Sequence, residues 1–373
     1  MKRILKVLLC IICAGLVGGI LVSVLGGHNI DFFIYWGRLF LILIVSLVFY
    51  QLHLILHEVG HVVAGKLSGY NFVSFRVYNI KLARENGKLV RKKYNVVGTA
   101  GQALMSPPEV ENGKVPMAFY NLGGVLANFL FSGLCFWFYL LLPDPWSIIF
   151  LASAIGGVFM GLANIIPLKI KGVPNDGYNL FLLSRKQNAD VRHAFWVQLK
   201  ANALQTSGVR ARDFPPAWFE WVTPDTVNDP IIAAVAMLHY AYLLDRLELT
   251  EARELAQTTL DTVNKMGSIH KNEFRCELLF HELIGECRQD EIKRIYTTEL
   301  QAYVKATAIY ASRQRLLYAY ARLFLRDAAK ADAHLVLFHR ACEKSASLGE
   351  IPGEQELIAV VDGVVEQREA VTL

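Results

Sequence analysis

The residues best suited to chemistry stand together at His57-Glu58-Val59-Gly60-His61. Two histidines four apart share one face of a helix, so both imidazoles can grip a single cation. Glu58 lies about 100° round the helix from His57. It can accept a proton from a water beside such a cation without taking a coordination position itself. With ten histidines in 373 residues, H-E-x-x-H arises by chance on the order of once in a hundred chains. The segment also closes an apolar run, where two histidines and a carboxylate are costly unless they pair or bind something. A polar cluster joining two helices is the plain alternative.

Tetrahedral zinc with two histidines requires a third protein ligand and leaves one open position. The best acid is Asp176, in Pro174-Asn175-Asp176-Gly177. Leu39 to His57 is 18 steps, about 27 Å of helix, which brings His57 to the inner edge of a bilayer's hydrocarbon. Trp146 to Asn164 is also 18 steps and starts from the same side, so Asp176 follows a segment that arrives at the same depth. Asp144 falls on the opposite side. His53, one turn before His57, suits packing against a neighbouring helix or a supporting role behind the ligands. His281-Glu282 begins the same motif, but position 285 is glycine; His28, His193, His239, His270, His334 and His339 have no partner at ligand spacing.

The elements that must position these residues follow from where the apolar residues lie. The AVILMFWYC fraction is 54%, and with glycine the apolar share reaches about 61%, against about 45–50% in soluble domains. Mean hydropathy is +0.33 and 19% of residues are charged, which argues against a wholly soluble protein and against disorder. A net charge of +5 with no run of five like charges gives nucleic-acid binding no support. Membrane spans are expected at about 4–26, 39–62, 117–142 and 146–168. The first could also be read as a secretory signal, but its apolar core is long and lacks a clear small-residue cleavage site. Cys10 and Cys13 lie within it and suit packing or lipid contact. The other cysteines, at 135, 276, 287 and 342, are scattered, as suits a reducing compartment.

Residues 66–116 carry nine Lys/Arg against three acids, which places that loop, and with it both termini, in the cytoplasm. Within it, Asn71–Leu82 and Lys88–Val97 are rich in β-branched and aromatic residues and flank Glu85-Asn86-Gly87, so a β-hairpin is expected over 70–101. Gly98 and Gly101 follow, where bare backbone can approach another group closely. From residue 185 to 373 no run is long enough to span, and apolar positions recur at helical spacing. Helix pairs are expected at 231–263, with Thr250-Glu251 as a cap, and at 316–341, touching at Ala241/Ala252 and at Ala321/Ala333. The pattern is similar to tetratricopeptide-type hairpins, although no regular 34-residue period appears. The expected fold is therefore mainly α. It comprises a polytopic membrane domain of about four transmembrane helices with a β-hairpin insertion (1–184) and a C-terminal cytoplasmic α-helical, tetratricopeptide-like domain (185–373).

H-E-x-x-H in one span, Asn164-Ile165-Ile166-Pro167 followed by Asp176-Gly177 after a later one, and Gly123-Gly124 with Asn128 between them resemble the site-2 protease family of intramembrane zinc metalloproteases. The resemblance covers about residues 39–184. It implies one Zn2+ held by His57, His61 and Asp176, with Glu58 as catalytic base. It also implies a substrate-side role for Asn164, near the substrate backbone, and cleavage of a membrane-spanning substrate after local unwinding. The family usually places the aspartate about eight residues after the asparagine; here twelve separate them, the extra residues lying within Leu168–Pro174. Gly123, Gly124 and Asn128 have a plainer reading too, since small residues let membrane helices approach and one Asn can hydrogen-bond across them.

The expected function is a zinc metalloendopeptidase of a bacterial cell membrane, acting in or near the transmembrane segment of a membrane-anchored regulator or peptide precursor. The lipid bilayer and the membrane-spanning substrate are its expected partners, with a cytoplasmic protein partner expected through 185–373. The alternative is a non-catalytic, metal-binding membrane scaffold that recruits partners through that helical domain.

Overall fold

The structure is a computed structural model and describes residues 29–85, 88–93, 100–109, 116–170, 173–185, 188–223, 226–262 and 266–372. The expected span at 4–26, Cys10 and Cys13, the turn residues Asn86 and Gly87, and Gly98 lie outside the described residues. The chain is mainly helical with a small antiparallel sheet. It divides into two compact units, residues 1–57 with 124–164 and residues 58–123 with 165–373.

Helices α1 (Asn29–Leu67), α2 (Met117–Leu141) and α3 (Trp146–Ile165) supply the described part of the first unit. Three segments, Phe40–Leu67, Met117–Leu141 and Trp146–Ile165, are long and apolar enough to cross a membrane. Inside the unit, Phe49 meets Phe131 and Phe150 with ring centroids 6.4 and 5.6 Å apart. Outward residues such as Leu130 and Phe159 are 75% and 69% exposed, an apolar surface suited to lipid. α1 begins well before the expected span and continues past it, so the expected connection at 26–38 is helical from Asn29. The reason is the absence of a breaker: no proline falls between Asn29 and Leu67. α3 stops at Ile165 rather than 168, because Pro167 cannot donate to the helix and its ring restricts the residue before it.

In the second unit, strands β1 (Asn71–Val77), β2 (Ile80–Glu85), β3 (Lys88–Lys93) and β4 (Gly101–Ser106) form an antiparallel sheet in the order β3-β2-β1-β4. The expected hairpin is present as β2–β3. Asn71–Leu82, however, is not one strand: the chain turns at Tyr78, which has φ +53°, and a fourth strand follows Gly101. Arg76 holds that turn. Its guanidinium is 1% exposed and donates to the Tyr78 carbonyl at 2.7 Å and the Gly101 carbonyl at 3.3 Å. A short hairpin of β5 (Lys169–Ile170) and β6 (Val173–Pro174) precedes α4 (Asp176–Ser184) and α5 (Ala189–Ser207). Tyr70, Met105, Met117, Tyr120 and Trp196 share one core, and Trp196 Nε1 donates to the Pro108 carbonyl at 2.9 Å. The sheet, the start of α2 and α5 therefore pack as one body.

The remaining helices are α6 (Pro230–Asp245), α7 (Leu249–Thr262), α8 (Ser268–Ile284), α9 (Gln289–Ile295), α10 (Thr298–Ala306), α11 (Ala311–Ala319), α12 (Ala328–Lys344) and α13 (Ile351–Thr372). The expected pairs correspond to α6/α7 and α11/α12. α7 starts at Leu249, so Thr250 lies within it rather than capping it. Ala252 is fully buried, but Ala241 is half-buried against the core that contains Trp196. In α12 the buried stripe runs Ala331, Phe338 and Cys342, and Ala333 is off it and exposed. Arg315, 1% exposed, joins three helices by donating to Glu277 at 2.9 Å and Glu354 at 2.8 Å.

His281 is 3% exposed and pairs with the Tyr240 hydroxyl at 2.9 Å. Burial pushes its pKa down to about 4, against the opposing pull of Glu277. The unfolded chain therefore binds the proton more readily, and stability is lost as pH falls from the unfolded value near 6.5 toward 4, by roughly 3 kcal/mol in full. Hydrogen exchange of residues 268–284, corrected for intrinsic rates, is expected to accelerate between pH 7 and pH 5. His281→Gln is expected to flatten that acid dependence.

Candidate metal centre

α1 presents His57, Glu58 and His61 on its buried side, all 6–7% exposed. His61 is held from two directions. Its Nδ1 donates to the Tyr120 carbonyl at 2.8 Å. A carbonyl only accepts, so a proton sits on Nδ1, and in the neutral ring Nε2 is the nitrogen that carries the lone pair. That Nε2 is 3.4 Å from Asp176 Oδ2. Two ligands at zinc bond lengths on neighbouring corners of a tetrahedron stand roughly 3.4 Å apart.

The long spacing before Asp176 has a local explanation. β5 and β6 pair Lys169 with Pro174 and Ile170 with Val173. The Asn175 amide donates to the Leu168 carbonyl at 3.0 Å, and the Leu168 amide donates to Asn175 Oδ1 at 3.1 Å. The extra residues fold back on themselves, and the chain resumes at Asn175 beside the point where it left. Asn175 then caps α4 by accepting from the Tyr178 amide at 2.9 Å. Asp176 is the first residue of that helix, where a carboxylate meets the positive end of the helix dipole.

His57 precedes His61 by four residues on the same unbroken helix, so their relation is fixed by the helix itself. Its Nδ1 lies 3.1 Å from the Asn128 amide. One ligand atom each from His57, His61 and Asp176 lies within 4.8 Å of the others. Two imidazole nitrogens with one carboxylate oxygen suit zinc, whereas calcium and magnesium favour oxygen alone. The donor set and the fixed Nδ1–H of His61 thus fit the ion that the resemblance implies.

Two glycines bring backbone to this place. A Cβ at Gly123 would stand 2.4 Å from the Gly60 carbonyl oxygen and 2.7 Å from Ala64 Cβ. α1 and α2 thus touch through Gly60 and Gly123, and this contact delivers the Tyr120 carbonyl to His61. A Cβ at Gly101 would stand 2.1 Å from Glu58 Oε1, so the first residue of β4 lies directly against the carboxylate. Tyr120 ties the two together: its hydroxyl donates to the Ala103 carbonyl at 2.7 Å and its ring stacks on Tyr70 with centroids 4.9 Å apart.

Of the other residues singled out in the sequence, Asn164 donates to the Met160 carbonyl of its own helix at 2.9 Å. His53 is packed against Phe131 and reaches the Ser153 carbonyl at 3.1 Å. Tyr120 and Arg76 were not legible as site residues. Tyr120 serves His61 through its backbone, which no side-chain pattern reports, and Arg76 counts in the sequence as one more loop cation. In three comparisons, no protein-family model, no curated protein and no solved structure matches this chain.

Purified protein is expected to carry one equivalent of zinc or cobalt. Asp176→Ala should weaken that affinity about tenfold or more, while Glu58→Gln should leave it within a few-fold; chelator competition measures both. Unchanged affinity in Asp176→Ala would remove the aspartate from the ligand set.

Proposed function

We propose that this protein is an intramembrane zinc metalloendopeptidase that cleaves a peptide bond in or near the transmembrane segment of a membrane-anchored regulator or peptide precursor. The observation that carries this reading is the convergence of His57, His61 and Asp176 beside a carboxylate, Glu58, that lies against the backbone of Gly101. A purely structural metal site has no use for a carboxylate next to an open coordination position. The three membrane-length apolar helices support a location in the bilayer.

A zinc ion held by His57, His61 and Asp176 would lower the pKa of a water toward about 7 and polarise the scissile carbonyl. Glu58 accepts the proton of the attacking water and returns it to the leaving amide nitrogen. Its burial keeps bulk water from competing for that proton. A substrate helix hides its carbonyls in its own hydrogen bonds and must unwind before it can react. Reception of the unwound chain, by strand addition, is assigned to the edge strand β4. The first residue of that strand, Gly101, lies against Glu58. Asn164 is assigned to the substrate backbone by the family resemblance.

The helical region is the proposed means of recruiting a cytoplasmic partner. A cavity of about 720 Å3, whose lining includes Asn79 and Lys93 of the sheet with Tyr240, Tyr310 and Glu350 of the helical region, supports this. The expected arrangement has both termini in the cytoplasm of a bacterial cell.

Co-expression with a single-span candidate substrate tests the reading. Glu58→Gln is expected to lower processing by about 10²–10⁴-fold; equal processing by both proteins removes the protease reading and leaves the metal-binding scaffold. Gly101→Ala, which drives a methyl group into the carboxylate, is expected to lower turnover on the order of 100-fold while metal content, read by elemental analysis, stays at the wild-type value.

A further inference from the structure

His61 and His57 are held differently, and the difference leaves a question that the surrounding side chains answer. The tautomer of His61 is fixed by a backbone carbonyl, which can only accept. His57 Nδ1 faces instead the side-chain amide of Asn128 at 3.1 Å, and an amide can donate or accept according to which way it is turned. With Nδ2 toward His57, the amide donates to Nδ1, the ring carries its proton on Nε2, and the imidazole has no lone pair left for a metal. With Oδ1 toward His57, Nδ1–H donates and Nε2 carries the lone pair that a metal ligand needs.

The next link decides between them. Asn128 is 0% exposed and His53 is 1% exposed. His53 Nε2 lies 3.1 Å from the Ser153 carbonyl, closer than the Ser153 hydroxyl at 3.4 Å. It therefore carries the proton and donates to that carbonyl, and a neutral His53 keeps Nδ1 as an acceptor. The Asn128 amide also reaches the His53 ring. With Nδ2 turned to His57, two acceptors are left without donors, namely Asn128 Oδ1 and His53 Nδ1, and both are among the buried polar atoms that lack a hydrogen-bond partner. Amide oxygen and nitrogen have the same shape, so their assignment rests on the hydrogen-bond network. One half-turn of the amide matches donor to acceptor on both sides: Nδ2–H is turned toward the His53 ring and Oδ1 toward His57 Nδ1–H.

We propose that Asn128 and His53 are positioning residues. They form a directional hydrogen-bond chain, His57 Nδ1–H to Asn128 Oδ1, Asn128 Nδ2–H to His53 Nδ1, and His53 Nε2–H to the Ser153 carbonyl, that holds His57 in its metal-ready tautomer. The chain crosses α2, α1 and α3 in turn and lies wholly within the first unit. It supplies for His57 what the Tyr120 carbonyl supplies for His61. The inference rests on the metal-centre reading, yet it makes a claim about the protein before any metal binds.

The test has two arms. Nitrogen NMR of histidine-labelled, metal-free wild-type protein in lipid reads the tautomers directly. His57 is expected as Nδ1–H and His53 as Nε2–H; His57 found as Nε2–H overturns the proposal. Chelator competition then compares variants. Asn128→Leu, which keeps the size of the side chain, is expected to weaken zinc binding by about 10–100-fold. Asn128→Asp, which still accepts from His57 Nδ1–H, is expected to stay within about threefold of wild type. A role in packing alone predicts the reverse, because leucine fills the space and a buried carboxylate does not, and that order of affinities overturns the proposal. Failure of wild-type protein to bind zinc at all would instead sink the metal-centre reading and leave the tautomer result standing on its own.

Discussion

An imidazole inside an apolar helix can serve a metal through one nitrogen only if the other has a partner, because an unsatisfied N–H in that setting is costly. This constraint organises the centre. It requires an acceptor behind each histidine, and His61 finds one in the Tyr120 carbonyl. That carbonyl is within reach only because Gly60 and Gly123 carry no side chains where α1 and α2 cross. The close helix contact thus sets the hydrogen bond behind His61 as well as the packing.

The small sheet extends the same logic to the carboxylate. Arg76 fixes the Gly101 carbonyl from one side, and Tyr120 fixes the Ala103 carbonyl from another. Between them they hold the start of β4 against Glu58. Trp196 anchors the far end of that strand's connection through the Pro108 carbonyl. The extended backbone beside Glu58 is therefore braced by side chains drawn from β1, α2 and α5, which gives the helical region a physical link to the strand nearest the carboxylate.

Much of this was legible in the sequence, for reasons that differ by element. Long apolar runs placed α1, α2 and α3 because no breaker competes within them, and the misplaced ends trace to the missing proline ahead of Leu39 and the present one at Pro167. His57, His61 and Asp176 stood out in the sequence because H-E-x-x-H and a later Asp-Gly are recognisable patterns, and the structure brings one ligand atom of each within 4.8 Å of the others. Gly101 was legible as bare backbone, but its neighbour Glu58 is too distant in sequence to be paired with it. The internal turn at Tyr78 was hidden because it uses neither glycine nor proline. Arg76 and Lys81 were counted as loop cations, whereas both side chains are buried; charge counting sees residue type and not the contacts that draw a cation inward.

The hairpin of β5 and β6 closes at its base, through Leu168 and Asn175, before α4 begins. The path length between Pro167 and Asp176 is consequently uncoupled from where the carboxylate ends up. The number of residues between Pro167 and Asp176 is therefore a poor guide to where Asp176 lies. The base of the hairpin is thus what keeps the start of α4 in register.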